Sequence, residues 1–279
     1  MGRAFALAVL VSLSAGLGGC GNTPSLNLFG QADPQVLPDE PAEKLYNEGI
    51  ALQNRRDWRR AALKFQEIDR THPYTEWAKR ALILSAYSFY ESGDYQETIT
   101  QSQRFLTLHP GAPEAAYAQY LLGSAHYDQI PDITRDQGRT ERAMVILDEV
   151  SRKWPTSEYA ISARRKVEVA RDQLAGREML IGRYYLQNRN FAGAVNRFRT
   201  VVSQFQTTRH VEEALARLTE AYMAMGIVNE AQTAAAVLGH NFPDSQWYKD
   251  SYQLITSNGV QPREDQGSWI SRAFRRITG

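Results

Sequence analysis

"RRDWRRAALKFQEIDRTHP" (Arg55–Pro73) and "SGDYQETITQSQRFLTLHP" (Ser92–Pro110) align without a gap, 37 residues apart. Each holds an aspartate followed by an aromatic residue, then apolar residues at helical spacing, then His-Pro. Three later segments end alike, at Trp154-Pro155, Phe205-Gln206 and Phe242-Pro243. The ends at 73, 110, 155, 206 and 243 are spaced by 37, 45, 51 and 37 residues, a base period of 37 with insertions of 8 and 14. A fixed period of this size means a stack of like units, and it takes precedence over other signals of fold.

Twelve residues before each end stand Ala61, Thr98, Ala143, Ala194 and Ala231. A further twelve back, allowing for the insertion in the third unit, stand Gly49, Ala86, Gly123, Gly182 and Thr219. Small residues at two fixed points of every unit predict two helices whose backbones approach closely there. Trp58, Ala61, Phe65 and Ile68 fall on one face of the second helix. Proline after that helix stops it, having no N–H and keeping its predecessor out of the α region. Gln206 replaces proline in the fourth unit and leaves that turn open.

The pattern resembles the tetratricopeptide repeat, with a period three residues longer than the usual 34. It implies an all-α fold, a right-handed superhelix of five helix pairs with a concave groove. The expected organisation is a signal peptide over 1–19, a tether over 20–41, units one to three over 42–155, and a long connecting helix with units four and five over 156–256. A linker and a C-terminal helix fill 257–279.

Cys20 is the only cysteine, so no intrachain disulfide can form, and the five histidines are too scattered for a zinc site. Arg3, an apolar run and a small-residue end precede it, in the order of a secretory signal. Leu17-Gly18-Gly19-Cys20 resembles a bacterial lipobox, which implies an acylated Cys20 and an outer-membrane anchor facing the periplasm. Three acyl chains exceed the two signals that stable anchoring requires. Gly16-x-Gly18-x-x-Gly21 matches a dinucleotide-binding pattern only literally, for no strand precedes it. Residues Gly21–Pro41 hold four prolines and no helical period, which reads as an extended tether.

Removing residues 1–19 takes away one charge, Arg3, and leaves 31 basic against 31 acidic residues, so nothing draws the chain to nucleic acid. No HExxH, Walker loop or GxSxG occurs, and no metal, cofactor or catalytic residue is expected. His72 and His109 share their repeat position with Trp154, Phe205 and Phe242, which makes it a packing position. The groove-facing positions of the first helices hold Tyr46 and Ile50, then Ile83, Tyr87 and Tyr90, then Tyr117, Tyr120 and Tyr127. Tyrosine combines apolar area with a hydrogen-bonding tip and suits peptide binding. Packing against the neighbouring unit is the competing use.

"NRRDWRRAALKFQEIDRTHPYTEWAKRA" and "FAGAVNRFRTVVSQF", with the lipobox and tether, resemble the BamD (ComL/YfiO) family of barrel-assembly lipoproteins. That resemblance implies a scaffold binding the periplasmic domains of BamA, other lipoproteins of the complex, and the targeting signals of unfolded outer-membrane proteins. Asn196 and Arg197 match the family's Val-Asn-Arg motif, and the resemblance places Arg197 at the BamA contact. At the C-terminus, Trp269, Ala273, Phe274 and Ile277 share a helical face opposite Arg272, Arg275 and Arg276. Such a helix can dock on a partner or lie on an anionic membrane, and a partner is expected, through Trp269 and Phe274. Adaptor roles in pilus or secretin assembly, polysaccharide export or peptidoglycan maintenance remain the alternatives.

Overall fold

The computed structural model describes residues 40–278, which are all-helical with no strand among them. Five helix pairs follow in chain order: α1 (Ala42–Asn54) with α2 (Trp58–Thr71), α3 (Glu76–Glu91) with α4 (Tyr95–Leu108), α5 (Ala115–Tyr127) with α6 (Gly138–Lys153), α7 (Glu158–Gln187) with α8 (Phe191–Gln204), and α9 (Val211–Ala224) with α10 (Val228–Asn241). Then come α11 (Gln246–Ser257) and α12 (Trp269–Thr278). From α1 to α11 each helix packs on the next, and first helices also touch the first helix of the following unit at α1–α3, α3–α5, α5–α7 and α9–α11.

The small-residue positions lie where the helices meet. Ala61, Thr98, Ala143, Ala194 and Ala231 are completely buried. A Cβ added at Gly49 would stand 2.6 Å from the Phe65 ring, at Gly123 2.7 Å from Leu147, and at Gly182 2.5 Å from Phe198. Those partners all sit four residues after the small residue of the second helix. In the other two units the first-helix residue is the larger Ala86 or Thr219, and the corresponding position holds the small Ser102 or Ala235, also buried. Volume is thus traded across each pair, as close packing demands. Seven residues after the small position, Ile68, Phe105, Val150, Val201 and Leu238 are all fully buried and close each unit's core.

The repeat ends are the C-caps of the second helices. His72, His109, Trp154, Phe205 and Phe242 each leave the helix at φ between −127° and −138°, with the backbone N–H still bonded four residues back. The turn at Gln206 closes like the rest, without proline. The turns within four of the five pairs are equally regular. Arg56, Gly93, Arg189 and Gly226 adopt positive φ, and paired hydrogen bonds run back across the helix end at each of them. The same bonds and a positive φ at Gly259 follow α11. Helix α11 is therefore the first helix of a sixth unit that lacks its second, and it caps α9 and α10.

The 14-residue insertion lies within the 30-residue α7, about 45 Å long at 1.5 Å per residue. The 8-residue insertion is the α5–α6 loop, and it rests on α7. Gln173 donates to the Pro131 carbonyl at 2.9 Å, and the Arg177 guanidinium donates to the carbonyls of Ile133 and Arg135. The two insertions brace one another.

Candidate functional site

A chain of aromatic rings crosses α3, α5 and α7. The Trp58 ring at the start of α2 lies 5.8 Å from Tyr87, and Tyr87 lies 6.4 Å from Tyr117. Tyr117 is 4.8 Å from Tyr159, which stacks on Tyr120 at 5.5 Å. The Lys166 ammonium then sits 5.5 Å from the Tyr120 ring and 4.8 Å from Tyr127, donating to Ser124 Oγ at 3.0 Å. All these tyrosines are half-buried, with one surface packed and one open to solvent.

Several phenols on and beside the strip are held firmly in their neutral form. Burial pushes the phenols of Tyr117 and Tyr90 far up, and the Tyr90 hydroxyl donates to Asp128 Oδ2 at 2.5 Å. Tyr159 is pushed up to about 12, first by burial and then by its bond to Glu158. A phenol places a hydrogen-bonding hydroxyl beside an apolar ring face, a combination suited to extended peptide.

Not every groove-facing expectation lands on this strip. Ile83 is only 7% exposed and belongs to the interior of unit two with Leu82, Phe105 and Leu121. It is core and not groove: it shares a helical face with Tyr87, one turn on, but its side chain is covered by the neighbouring residues of α4 and α5. Tyr46 and Ile50 pack on the core of unit one, Tyr46 between Phe65 at 5.8 Å and Trp77 at 5.1 Å, apart from the strip. Tyr90 ties α3 to Asp128 just beyond α5, with its ring against Tyr95.

The first helices of units four and five carry ionic chemistry instead. Arg183 on α7 meets Glu213 on α9 at 2.9 Å, and Arg217 bridges Glu213 and Glu220 while stacking 5.2 Å from the Trp247 ring of α11. On α8, Asn196 is exposed, and Arg197 pairs with Glu178 of α7 at 3.3 Å while remaining partly open.

Helix α12 differs most from expectation. Its apolar face is turned onto its own chain, across α8 and α10. The Trp269 indole N–H donates to Tyr222 OH at 3.1 Å, and the Arg199 guanidinium covers that ring at 4.9 Å. Phe274 packs on the same core, and Ile270 is fully buried. Trp269 and Phe274 are therefore internal packing residues here, since the face expected to meet a partner is already covered. Cys20 lies outside the described residues.

A family model described as YfiO, outer membrane lipoprotein, matches residues 38–238. The chain belongs to that family. Among curated YfiO-type relatives, an outer membrane protein assembly factor BamD from Caulobacter vibrioides is 43% identical over 91% of this chain and 81% of its own length. Another of that name from Rickettsia prowazekii is 37% identical over 89% and 96%, and one from Neisseria meningitidis serogroup A is 28% identical over 87% and 93%. A solved pilus biogenesis factor, PilW, covers 76% of this chain and 98% of its own at 15% identity, but its TM-score of 0.22 carries no argument.

The YfiO match takes in the whole tyrosine strip and α8 and ends within α10, leaving α11 and α12 outside it. A cleft of 740 Å³ lies elsewhere, at the α2–α3 turn and the end of α4, among Pro73, Tyr74, Lys79, Arg104 and Leu108. No residue of the strip lines it. A strip of half-buried rings is a shallow surface, so a cleft-based criterion passes over it. Sequence reasoning missed Trp58, Tyr159 and Lys166. Tyr159 and Lys166 lie on α7, whose insertion displaces the repeat frame, and Trp58 belongs to a second helix. Among the described residues, no group of three or more His, Cys, Asp or Glu residues is placed to hold a metal.

Proposed function

We propose that the chain is a non-catalytic scaffold of the outer-membrane β-barrel assembly machinery, anchored through an acylated Cys20 on the periplasmic face. Units one to three receive an extended segment of an unfolded outer-membrane protein along Tyr87, Tyr117, Tyr120 and Tyr127, with Trp58, Tyr159 and Lys166 completing the strip. Units four and five hold the partner barrel's periplasmic domains, with Asn196 and Arg197 at the contact. Family membership supports the assembly role, and the continuous aromatic strip is the observation that carries the binding reading.

The physical logic is that of a low-entropy surface. Each ring is held by its neighbours and loses little freedom when a peptide covers it. Client chains share amphipathic strand pattern more than sequence, and rings with hydroxyl tips accept apolar side chains and backbone carbonyls alike. Arg197 keeps donors beyond its bond to Glu178, so a partner carboxylate can join that pair.

The test is recovery of the tagged native protein from detergent-solubilised membranes, wild type beside Cys20→Ala, with co-purifying proteins identified by mass spectrometry. The reading expects a polypeptide-transport-domain barrel with the acylated form and less of it with Cys20→Ala. Recovery of a secretin or a peptidoglycan enzyme in its place would refute the assembly role.

A further inference from the structure

Helix α12 spends its apolar face on its own chain and turns arginines outward, and we infer that this arginine face docks an acidic segment of a partner protein. Ile270 is fully buried, Trp269 is bonded to Tyr222, and Ser268 Oγ donates to Glu230 at 2.6 Å. Gln206 reaches the Ala273 carbonyl at 3.4 Å. The helix is fixed in place.

The guanidinium groups of Arg272 and Arg275 are fixed as well, by neutral oxygens. Arg272 donates to the Gly267 carbonyl at 2.8 Å, and Arg275 donates to both the side-chain and backbone oxygens of Gln266. Arg199 of α8 stacks on Trp269 beside them. None of these three has a carboxylate within 4.0 Å among the described residues, whereas Arg183, Arg197 and Arg217 are each paired. The acids at the same N-terminal end have other partners: Glu230 accepts from Ser268 and Asp265 from the Gly267 N–H, where the helix dipole favours them.

Positioned but unneutralised arginines, with donors of the planar fork still unused, suit bidentate carboxylates. A single exposed ion pair contributes little, so the ligand is a segment with several Asp or Glu side chains. A membrane is the poorer occupant. Helices that lie on bilayers do so through an apolar face, and here that face is covered. The surface adjoins α8, where Asn196 lies one turn from Arg199, so an acidic segment bound here would extend any contact made at α8.

The test uses the full lipid-anchored protein with two paired variants. Arg272→Lys/Arg275→Lys keeps the charge and supplies amines for zero-length carbodiimide coupling, and mass spectrometry locates the joined carboxylates. The expected result is coupling from both positions to neighbouring acidic residues of a protein in the solubilised complex. Arg272→Glu/Arg275→Glu should lower recovery of that protein about tenfold at low salt, with less difference at high salt and an unchanged melting temperature. Coupling only within the chain, or unchanged recovery on reversal, overturns the inference. So does loss, on reversal in the unacylated Cys20→Ala form, of binding to phosphatidylglycerol vesicles with no protein coupled, which would assign the face to lipid.

Discussion

Gly182 and Phe198 show how one residue sets the spacing of a helix pair. The ring occupies the space a side chain at 182 would need, so Gly182→Thr is overpacked and should cost about 1–3 kcal/mol. Phe198→Ala leaves a cavity and should cost about 3–5 kcal/mol. The double variant imitates the Thr219/Ala235 pair of unit five and should cost less than the sum by about 1–3 kcal/mol. Denaturant titration of the four proteins checks this, and strict additivity would contradict the traded-volume account. Arg189 holds a left-handed conformation, at φ 56°, where unit five uses Gly226. Arg189→Gly should therefore stabilise by about 0.5–1 kcal/mol, read from the shift in unfolding midpoint, because the strain relieved exceeds the entropy that glycine adds to the unfolded chain. The small residues were legible because they recur at a fixed interval. Their large partners were not, since that position holds Phe, Ser, Leu, Phe and Ala in turn, and only contact reveals that each answers the residue opposite.

Helix α7 is the element that departs most from the repeat, and its neighbours depend on it. His210 at the start of α9 lies 3.6 Å from Asp172, with burial depressing its pKa more than the carboxylate raises it. His126 on α5 is depressed too, first by burial and then by Arg142 and Arg139. Both favour the neutral form in the folded state, so their contribution is present above the ordinary histidine value of 6.5 and is lost as pH falls below it. Unfolding midpoints measured from pH 7.5 to 5 should decline, and the His210→Gln/His126→Gln variant should decline less. Arg177→Ala should leave α7 intact yet raise amide exchange over residues 130–137, because that side chain bonds the loop's carbonyls. Helix α7 was visible in the sequence as an apolar pattern running through the insertion. The destination of α12 was not. Amphipathicity marks an apolar face, but the surface that covers it, between α8 and α10, is assembled from residues far along the chain.

At the scale of the molecule, the stack carries two chemistries along one row of first helices. The α3, α5 and α7 side offers neutral rings, and the α7, α9 and α11 side offers crossed ion pairs ending on Trp247. That division fits a scaffold that receives an unfolded chain at one end and holds a folded partner at the other. Period and tyrosine content made the fold and part of the strip readable. Ile83 misled because it lies on the same helical face as Tyr87, and only the packing of α4 and α5 shows that its side chain is covered. The ionic half left no signal, since its charges look like any solvated face until the helices are brought together. The measurement closest to the central claim is photo-crosslinking in cells, with benzoylphenylalanine in place of Tyr87 or Tyr120 and, as control, the exposed Tyr184 off the strip. Adducts to unfolded outer-membrane proteins at 87 and 120 but not at 184 are predicted. Equal capture at all three positions, or none at the strip, would contradict the account.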